Sequence, residues 1–136
     1  MANECVLKVE TANPINCIIA DAAFEKGTLL TMADPLTVSA ASADGYCGGV
    51  LANEKIASSG STSAAVYREG IFLGTSSAAV TAGQALAMTG SGNKLKPATA
   101  TDTGAKVVGI ALETTSGDNE TFLFELKIGA NNNAYA

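Results

Sequence analysis

Apolar residues occur along the chain in short clusters separated by Gly, Ser, Asn and Asp, with few stripes of helical period. Short clusters bounded by turn residues are typical of an all-β barrel or sandwich. The segment richest in helix formers, 78–87, contains Val80, Thr81 and Gly83, and β-branched residues and glycine disfavour a helix. The pattern predicts strands over 28–31, 36–39, 49–53, 63–68, 71–73, 84–88, 94–98, 106–113 and 121–128.

Two stretches of the chain share one pattern. KGTLLTM at 26–32 and AGQALAM at 82–88 each contain a glycine, followed two residues later by a pair of apolar positions and then by Met. Gly27 and Gly83 are 56 residues apart. We interpret both glycines as tight turns that open corresponding strands, and we also predict structural turns at Gly49 and Gly109.

The features that follow each glycine also occur in the same order. Each half continues with a short loop, a strand rich in Ala and Thr, a strand that contains Gly49 or Gly109, a polar turn and a long strand. We therefore expect two pseudo-repeated halves, 25–73 and 80–128, that form one small β-barrel or sandwich. Neither half could bury its apolar face alone.

The first 24 residues lie outside this repeat. Pro14 prevents a single continuous element there, and residues 17–20 are apolar. Segment 1–24 is either an extended N-terminal arm or an opening strand of the same barrel. We expect residues 25–136 to form a single β domain whose polar tail, 129–136, frays.

Composition indicates a thin core. Apolar residues make up 47% of the 136-residue chain, but 25 of them are Ala and only 30 are Leu, Ile, Val or Phe. Alanine buries little area, and small cores often need oligomerisation for stability. The chain is therefore expected to act as a homo-oligomer.

The charge distribution argues against two classes of partner. The net charge is −5 and the eight basic residues are scattered, whereas a nucleic-acid interface needs a concentrated basic face. The N-terminus, MANECVLKVE, has no long apolar run, which indicates neither a signal peptide nor a membrane span. We expect neither nucleic acid nor membrane as a partner.

Residues that carry chemistry are scarce. The chain has no His, and Cys5, Cys17 and Cys47 form no C-x-x-C pair, so common bases and zinc spacings are missing. Unpaired thiols suit a reducing compartment. Acidic pairs such as Asp118 and Glu120 stand in turn-like stretches. We expect no catalytic residue, no cofactor and no metal.

Three segments carry a family resemblance: FEKGTLLTMADPLTVSAAS (24–42), GGVLANEKIASSGSTSAAVYREGIF (48–72) and VTAGQALAMTGSGNKLKPATATDTGAKVVGIALETTSGDNETFLFEL (80–126). They resemble the head decoration, or capsid cement, proteins of tailed bacteriophages, over roughly residues 13–126. The resemblance implies a β-rich virion protein, assembled in the host cytoplasm, that trimerises on the outer capsid surface. It would bind the major capsid protein and stabilise contacts between its subunits.

Proteins of this kind often use an N-terminal arm to reach across the shell, which would give residues 1–20 a role in binding. The alternative function is a carbohydrate- or surface-binding β module, such as a head fibre or adhesion component. The aromatic platform that sugar binding needs is limited to Tyr46, Tyr67 and Tyr135. The predicted capsid or subunit interface consists of Val6, Leu7, Val9, Pro14, Ile15, Ile18 and Ile19.

Overall fold

A computed structural model describes residues 3–43 and 45–130. The described chain consists of strands, connecting loops and one single-turn 3-10 helix, Gly104–Lys106, which confirms the all-β prediction. The strands are β1 (Val6–Val9), β2 (Ile15–Ile19), β3 (Leu29–Ala33), β4 (Thr37–Ala40), β5 (Tyr46–Leu51), β6 (Ser63–Tyr67), β7 (Glu69–Thr75), β8 (Ala85–Met88), β9 (Leu95–Pro97), β10 (Gly109–Ala111) and β11 (Thr121–Lys127).

The strands form a closed barrel and an open sheet. The barrel has the order β2-β4-β3-β5-β6 and closes through antiparallel pairing of β6 with β2. The pairing of β2 with β4 is parallel. The sheet has six strands in the order β1-β7-β11-β10-β8-β9. The prediction placed both halves in one small β-barrel or sandwich, and the structure has a barrel formed by β2–β6 beside an open sheet that contains β7–β11.

The two halves nevertheless share one topology. Starting from β4, the strand order around the barrel is β4-β3-β5-β6-β2. Starting from the opposite edge and leaving out β1, the strand order of the sheet is β9-β8-β10-β11-β7. Strands β2–β6 therefore correspond in order to β7–β11, and the correspondence begins one strand before Gly27 and Gly83. A parallel bridge between Ser76 and Leu95 stands where β2 pairs with β4 in the barrel.

The glycines explain why the halves fold alike. Gly27 and Gly83 have φ of 86° and 91°, in the left-handed region that favours glycine. In each case the amide after the glycine donates to the carbonyl oxygen three residues earlier, at 3.3 and 3.0 Å, which closes a β-turn. The turns predicted at Gly27 and Gly83 are present.

Gly49 and Gly109, which were predicted as turns, instead lie within strands β5 and β10, where they allow close approach between strands. Gly49 lies opposite Leu30, and Gly109 lies opposite Leu86. A Cβ at either glycine would collide with a backbone carbonyl oxygen of the next strand, β6 or β11. These positions therefore require glycine for backbone packing.

The buried residues form three clusters: one inside the barrel, a larger one between the halves, and a small one of Ala85, Ala87, Ala98 and Val107. In the larger cluster, Leu29 and Val50 on the outside of the barrel pack with Phe72 and Phe124 of the sheet. The halves therefore share a core. The cluster inside the barrel consists of Cys17, Ile19, Leu30, Val38, Leu51 and Val66.

The extended N-terminal arm is not confirmed. Strand β1 pairs with β7 in the sheet, and β2 is part of the barrel wall. Of the tail predicted to fray, Gly129 is described and donates its amide to Val107 O at 3.0 Å. Residues 131–136 lie outside the described residues.

Candidate functional site

An apolar surface runs along the first two strands. Strands β6 and β7 are separated by one residue, and β2 and β1 run antiparallel beside them. Ile18 lies opposite Ser63, and Val6 lies opposite Leu73. Strands β1 and β2 thus form one surface strip, which we call the N-terminal ribbon (residues 6–18).

Four branched aliphatic side chains of the ribbon are exposed to solvent. The exposed fractions are 37% for Val6, 49% for Val9, 40% for Ile15 and 50% for Ile18. Exposed apolar side chains that lie near one another are typical of a protein interface. Val6 and Val9 lie opposite Leu73 and Ile71 of β7, whereas Ile15 and Ile18 point to opposite faces of β2 because side chains alternate along a strand. These four are the predicted interface residues that the structure leaves available.

The other predicted interface residues are less accessible. Leu7 is half-buried and packs against the larger core cluster, and Pro14 is half-buried. Ile19 is 1% exposed and belongs to the cluster inside the barrel. Because side chains alternate along β2, Ile18 points outward and Ile19 inward. Ile19 therefore has no surface to offer a partner in this fold.

The outer edge of the ribbon is not shaped for simple strand addition. Strand β1 is the last strand of its sheet in the described chain, so its outer edge is unpaired there. The pairing register shifts between Leu7 and Val9, and the exposed Lys8 stands at this irregularity. A bulge and a lysine are common devices against edge-to-edge pairing. The ribbon presents side chains rather than a regular edge.

A second apolar surface, which was not predicted, lies at the hairpin between β3 and β4. Met32, Pro35, Leu36 and Tyr46 line a shallow hollow of about 530 Å³ together with Arg68. Leu36 and Tyr46 are 53% and 60% exposed. An apolar residue within the turn sequence DPL was a signal that could have revealed this hollow.

Two of the described acidic residues serve an ion pair and a turn. Lys94 Nζ lies 2.9 Å from Asp118 Oδ1, and Glu120 accepts hydrogen bonds from the amide and hydroxyl of Ser116. Over residues 3–43 and 45–130, no group of three potential metal ligands occurs.

The thiols are poor nucleophiles. Burial raises the pKa of Cys5 and of Cys47 to about 12, and it also raises the pKa of Cys17. Nucleophilic attack by cysteine requires the thiolate. Buried neutral thiols at these three positions act as small apolar side chains.

Of the three tyrosines considered for sugar binding, one offers an exposed ring in the described chain. Tyr67 is half-buried, packs edge-on against Phe72 at 5.8 Å and donates its hydroxyl to Glu10. Tyr46 is exposed in the hollow, and Tyr135 lies outside the described residues. No helix of the described residues has the length and hydropathy needed to cross a membrane.

A duplicated β scaffold with exposed apolar side chains on its surface is typical of structural or binding modules. A model of the phage cement protein family matches residues 9–126, and the chain therefore belongs to that family. The resemblance stated from the sequence is confirmed, and the chain is a structural protein of a phage capsid.

One solved structure with a similar fold is the N base of head fiber gp8.5 of bacteriophage phi29. The TM-score is 0.53 at 14% sequence identity, and the match covers 83% of this chain and 92% of that chain. At this identity the likeness concerns the fold. No curated protein gave a significant match.

Proposed function

We propose that this chain is a non-enzymatic cement protein that binds the outer surface of a phage capsid. In this role it bridges major capsid protein subunits and stabilises the contacts between them. The observation that supports the role best is the N-terminal ribbon, where four aliphatic side chains remain exposed on a protein of the cement family.

The ribbon can supply useful binding energy. Full burial of a Val or Ile side chain is worth about 1.5–3 kcal/mol, and Val6, Val9, Ile15 and Ile18 are each 37–50% exposed. Each contact therefore contributes about 1 kcal/mol when covered. An oligomer, which we propose to be a trimer, repeats the contact in each copy, and multivalency turns modest contacts into stable attachment.

The remaining parts of the proposal follow from charge and cysteine chemistry. The net charge of −5 and the scattered basic residues favour a protein partner over nucleic acid. Three free, buried thiols are compatible with assembly in the reducing host cytoplasm before the protein takes its place on the virion.

The test is binding of purified protein to capsids that lack it. In the triple variant Val9→Thr/Ile15→Thr/Ile18→Thr, β-branching is kept, so the strands remain favourable while the apolar surface is reduced. We expect capsid affinity to fall by about tenfold or more in co-sedimentation. The matched control is Leu112→Thr, since Leu112 is 42% exposed and lies outside the ribbon.

Equal loss of affinity in the control and the triple variant would contradict a specific role of the ribbon. Unchanged affinity of the triple variant would contradict its role altogether. Circular dichroism and urea unfolding of each variant verify that binding is compared between folded proteins.

A second candidate function is the base of a head fibre, or another surface-binding module. The fold likeness to the phi29 head fiber base favours it. Binding to host-cell polysaccharide, with loss of that binding in Tyr46→Ala, would support this candidate, because Tyr46 presents the exposed ring of the described tyrosines. Capsid binding without any polysaccharide binding would support the cement role.

A further inference from the structure

Ile56 has the highest exposed fraction of the large apolar residues in the described chain, at 76%. It lies in the loop 52–62 that connects β5 with β6. The rest of this loop consists of small and polar residues and Lys55, whose side chain is buried. Contact with a partner would remove much of this apolar side chain from water, which is favourable.

The loop is fixed to the barrel. The Asp21 carboxylate accepts hydrogen bonds from the amides of Ser59 and Gly60, each at 3.1 Å. Lys55 Nζ lies 3.5 Å from Asp21 Oδ1, and its side chain is 6% exposed. Ile56 follows Lys55 directly, so it is presented on a braced loop, and little conformational entropy is lost when it binds.

The hollow at the β3–β4 hairpin has the complementary chemistry. Its walls include Leu36 and Tyr46, and its volume of about 530 Å³ can accommodate a branched aliphatic side chain. Arg68 adds a positive charge. Its Nη1 donates to Gly48 O at 3.1 Å and to Met32 Sδ at 3.7 Å, and a guanidinium has five donors. The hollow therefore suits an aliphatic side chain with a carboxylate nearby.

The loop 52–62 and the hollow lie at opposite ends of the barrel. Strand β3 runs toward its hairpin with β4, where the hollow lies. Strand β5 is antiparallel to β3, so it runs away from the hairpin and leads into the loop. Ile56 therefore cannot reach the hollow of its own chain, and a second copy is needed to bring the two together.

We propose that Ile56 of one copy inserts into the hollow of a second copy, where Glu54 pairs with Arg68. Glu54 stands two residues before Ile56 and is exposed, so this segment combines the aliphatic side chain and the carboxylate. Asp34, at the rim of the hollow, is exposed to solvent, which screens its repulsion of Glu54. The contact joins different surfaces of the two copies, and such a contact can close into a small ring.

This inference rests on the self-association contained in the proposed function. The first experiment is sedimentation analysis of Ile56→Asp and of Leu36→Asp, each beside Leu112→Asp as a control. Both tested side chains are more than half exposed, so the fold tolerates the change. We expect the dissociation constant of self-association to rise at least about tenfold in each tested variant and to stay unchanged in the control.

The second experiment is cross-linking with a short bis-maleimide. The native thiols are buried, so added cysteines react selectively. We expect the double variant Ile56→Cys/Leu36→Cys to form covalent oligomers. The single variants and Ile56→Cys/Leu112→Cys should stay uncross-linked, since each lacks one side of the contact.

The alternative outcomes are distinguishable. An oligomer that forms without this cross-link would overturn the contact and leave self-association in place. A monomeric wild-type protein would overturn both, while capsid binding is judged separately by the ribbon variants. Cross-linking of Ile56→Cys to the capsid protein alone would make a capsid subunit the partner and overturn the contact between copies.

Discussion

Asn93 links the two halves through a single side chain. Its Oδ1 accepts a hydrogen bond from Leu29 N at 2.7 Å, and its Nδ2 donates to Asn3 O at 2.8 Å and to Gly27 O at 3.0 Å. Asn93 also has φ of 55°, which asparagine tolerates better than most residues. The sequence SGSGN predicts a turn here, but it carries no signal for partners 64 to 90 residues away.

We expect Asn93→Ala to lower the free energy of unfolding by about 3 kcal/mol. The change removes three hydrogen bonds, leaves the amide of Leu29 without its partner and strains a positive φ. Asn119→Ala is the matched control, because Asn119 has φ of 65° and is exposed. It should lose only about 1 kcal/mol. Equal losses in urea unfolding at one protein concentration would show that the hydrogen bonds contribute nothing.

Burial of Cys5 and Cys47 predicts how stability depends on pH. Desolvation is the largest cause that raises the pKa of each thiol, from about 9 to about 12. Above pH 9 the unfolded chain releases these protons while the folded chain keeps them, so stability falls as pH rises. The loss is about 1.4 kcal/mol per pH unit for each thiol until the folded pKa is reached.

The measurement is urea unfolding at pH 8, 9, 10 and 11, compared with Cys5→Ala/Cys47→Ala. Ionisation of lysine and tyrosine is common to both proteins, so the difference in slope reports the two thiols. We expect a shallower decline in the double variant. Parallel curves would mean that both thiols ionise as readily in the folded protein as in the unfolded one.

The two corresponding turns have different surroundings, which predicts different costs for one substitution. A Cβ at Gly27 would meet Cys5 O at 2.9 Å and would collide with Glu4, whereas a Cβ at Gly83 has nothing within 4 Å. Gly83→Ala should cost about 1 kcal/mol from the positive φ alone. Gly27→Ala should cost about 2–4 kcal/mol, since the N-terminal segment must also move. Equal melting temperatures for the two variants would contradict this difference.

Strands could be predicted where the alternation of apolar and polar residues within the strand was clear. Strand β11 was expected over 121–128 because Phe122 and Phe124 alternate with polar or outward residues, and it spans Thr121–Lys127. Strand β10 was expected over 106–113, but a 3-10 turn at Gly104–Lys106 leaves Gly109–Ala111 as strand. Strand β1 was missed as a strand, since it has four residues and its partner β7 is more than 60 residues away.

The candidate site was predictable as a region and less so by residue. The branched apolar residues before position 20 indicated either an exposed binding segment or a strand of the fold. In the structure these residues lie in strands β1 and β2, and some of their side chains are exposed. Ile18 and Ile19 look equivalent in the sequence, but closure of the barrel buries Ile19 and leaves Ile18 half exposed. The apolar residue in the turn sequence DPL is a local signal for an exposed apolar surface, but the hollow itself also depends on how Tyr46 of β5 meets the β3–β4 hairpin, which that pattern does not encode.

At the scale of the whole molecule, the shared core joins the barrel and the sheet. Leu29 and Val50 belong to the barrel, yet they pack in the larger cluster with side chains of the sheet such as Leu86 and Phe124. If the sheet unfolded alone, this outer face of the barrel would be exposed to water. That exposure would cost a large part of the hydrophobic stabilisation. We therefore expect the two halves to unfold as one cooperative unit.

Native-state hydrogen exchange tests this cooperativity with substitutions in each half. Leu30→Ala opens a cavity inside the barrel and Leu86→Ala opens one in the larger cluster, each at a cost of about 2–4 kcal/mol. If unfolding is cooperative, either change lowers the protection of the slowest amides of β3 and of β10 by the same amount, while Leu112→Ala, at an exposed position, changes neither. Retained protection in β3 when Leu86→Ala weakens β10 would mean that the barrel is stable without the sheet. The duplicated halves would then be independent folding units, and the packing of Leu29 and Val50 against the sheet would contribute little to the stability of the barrel.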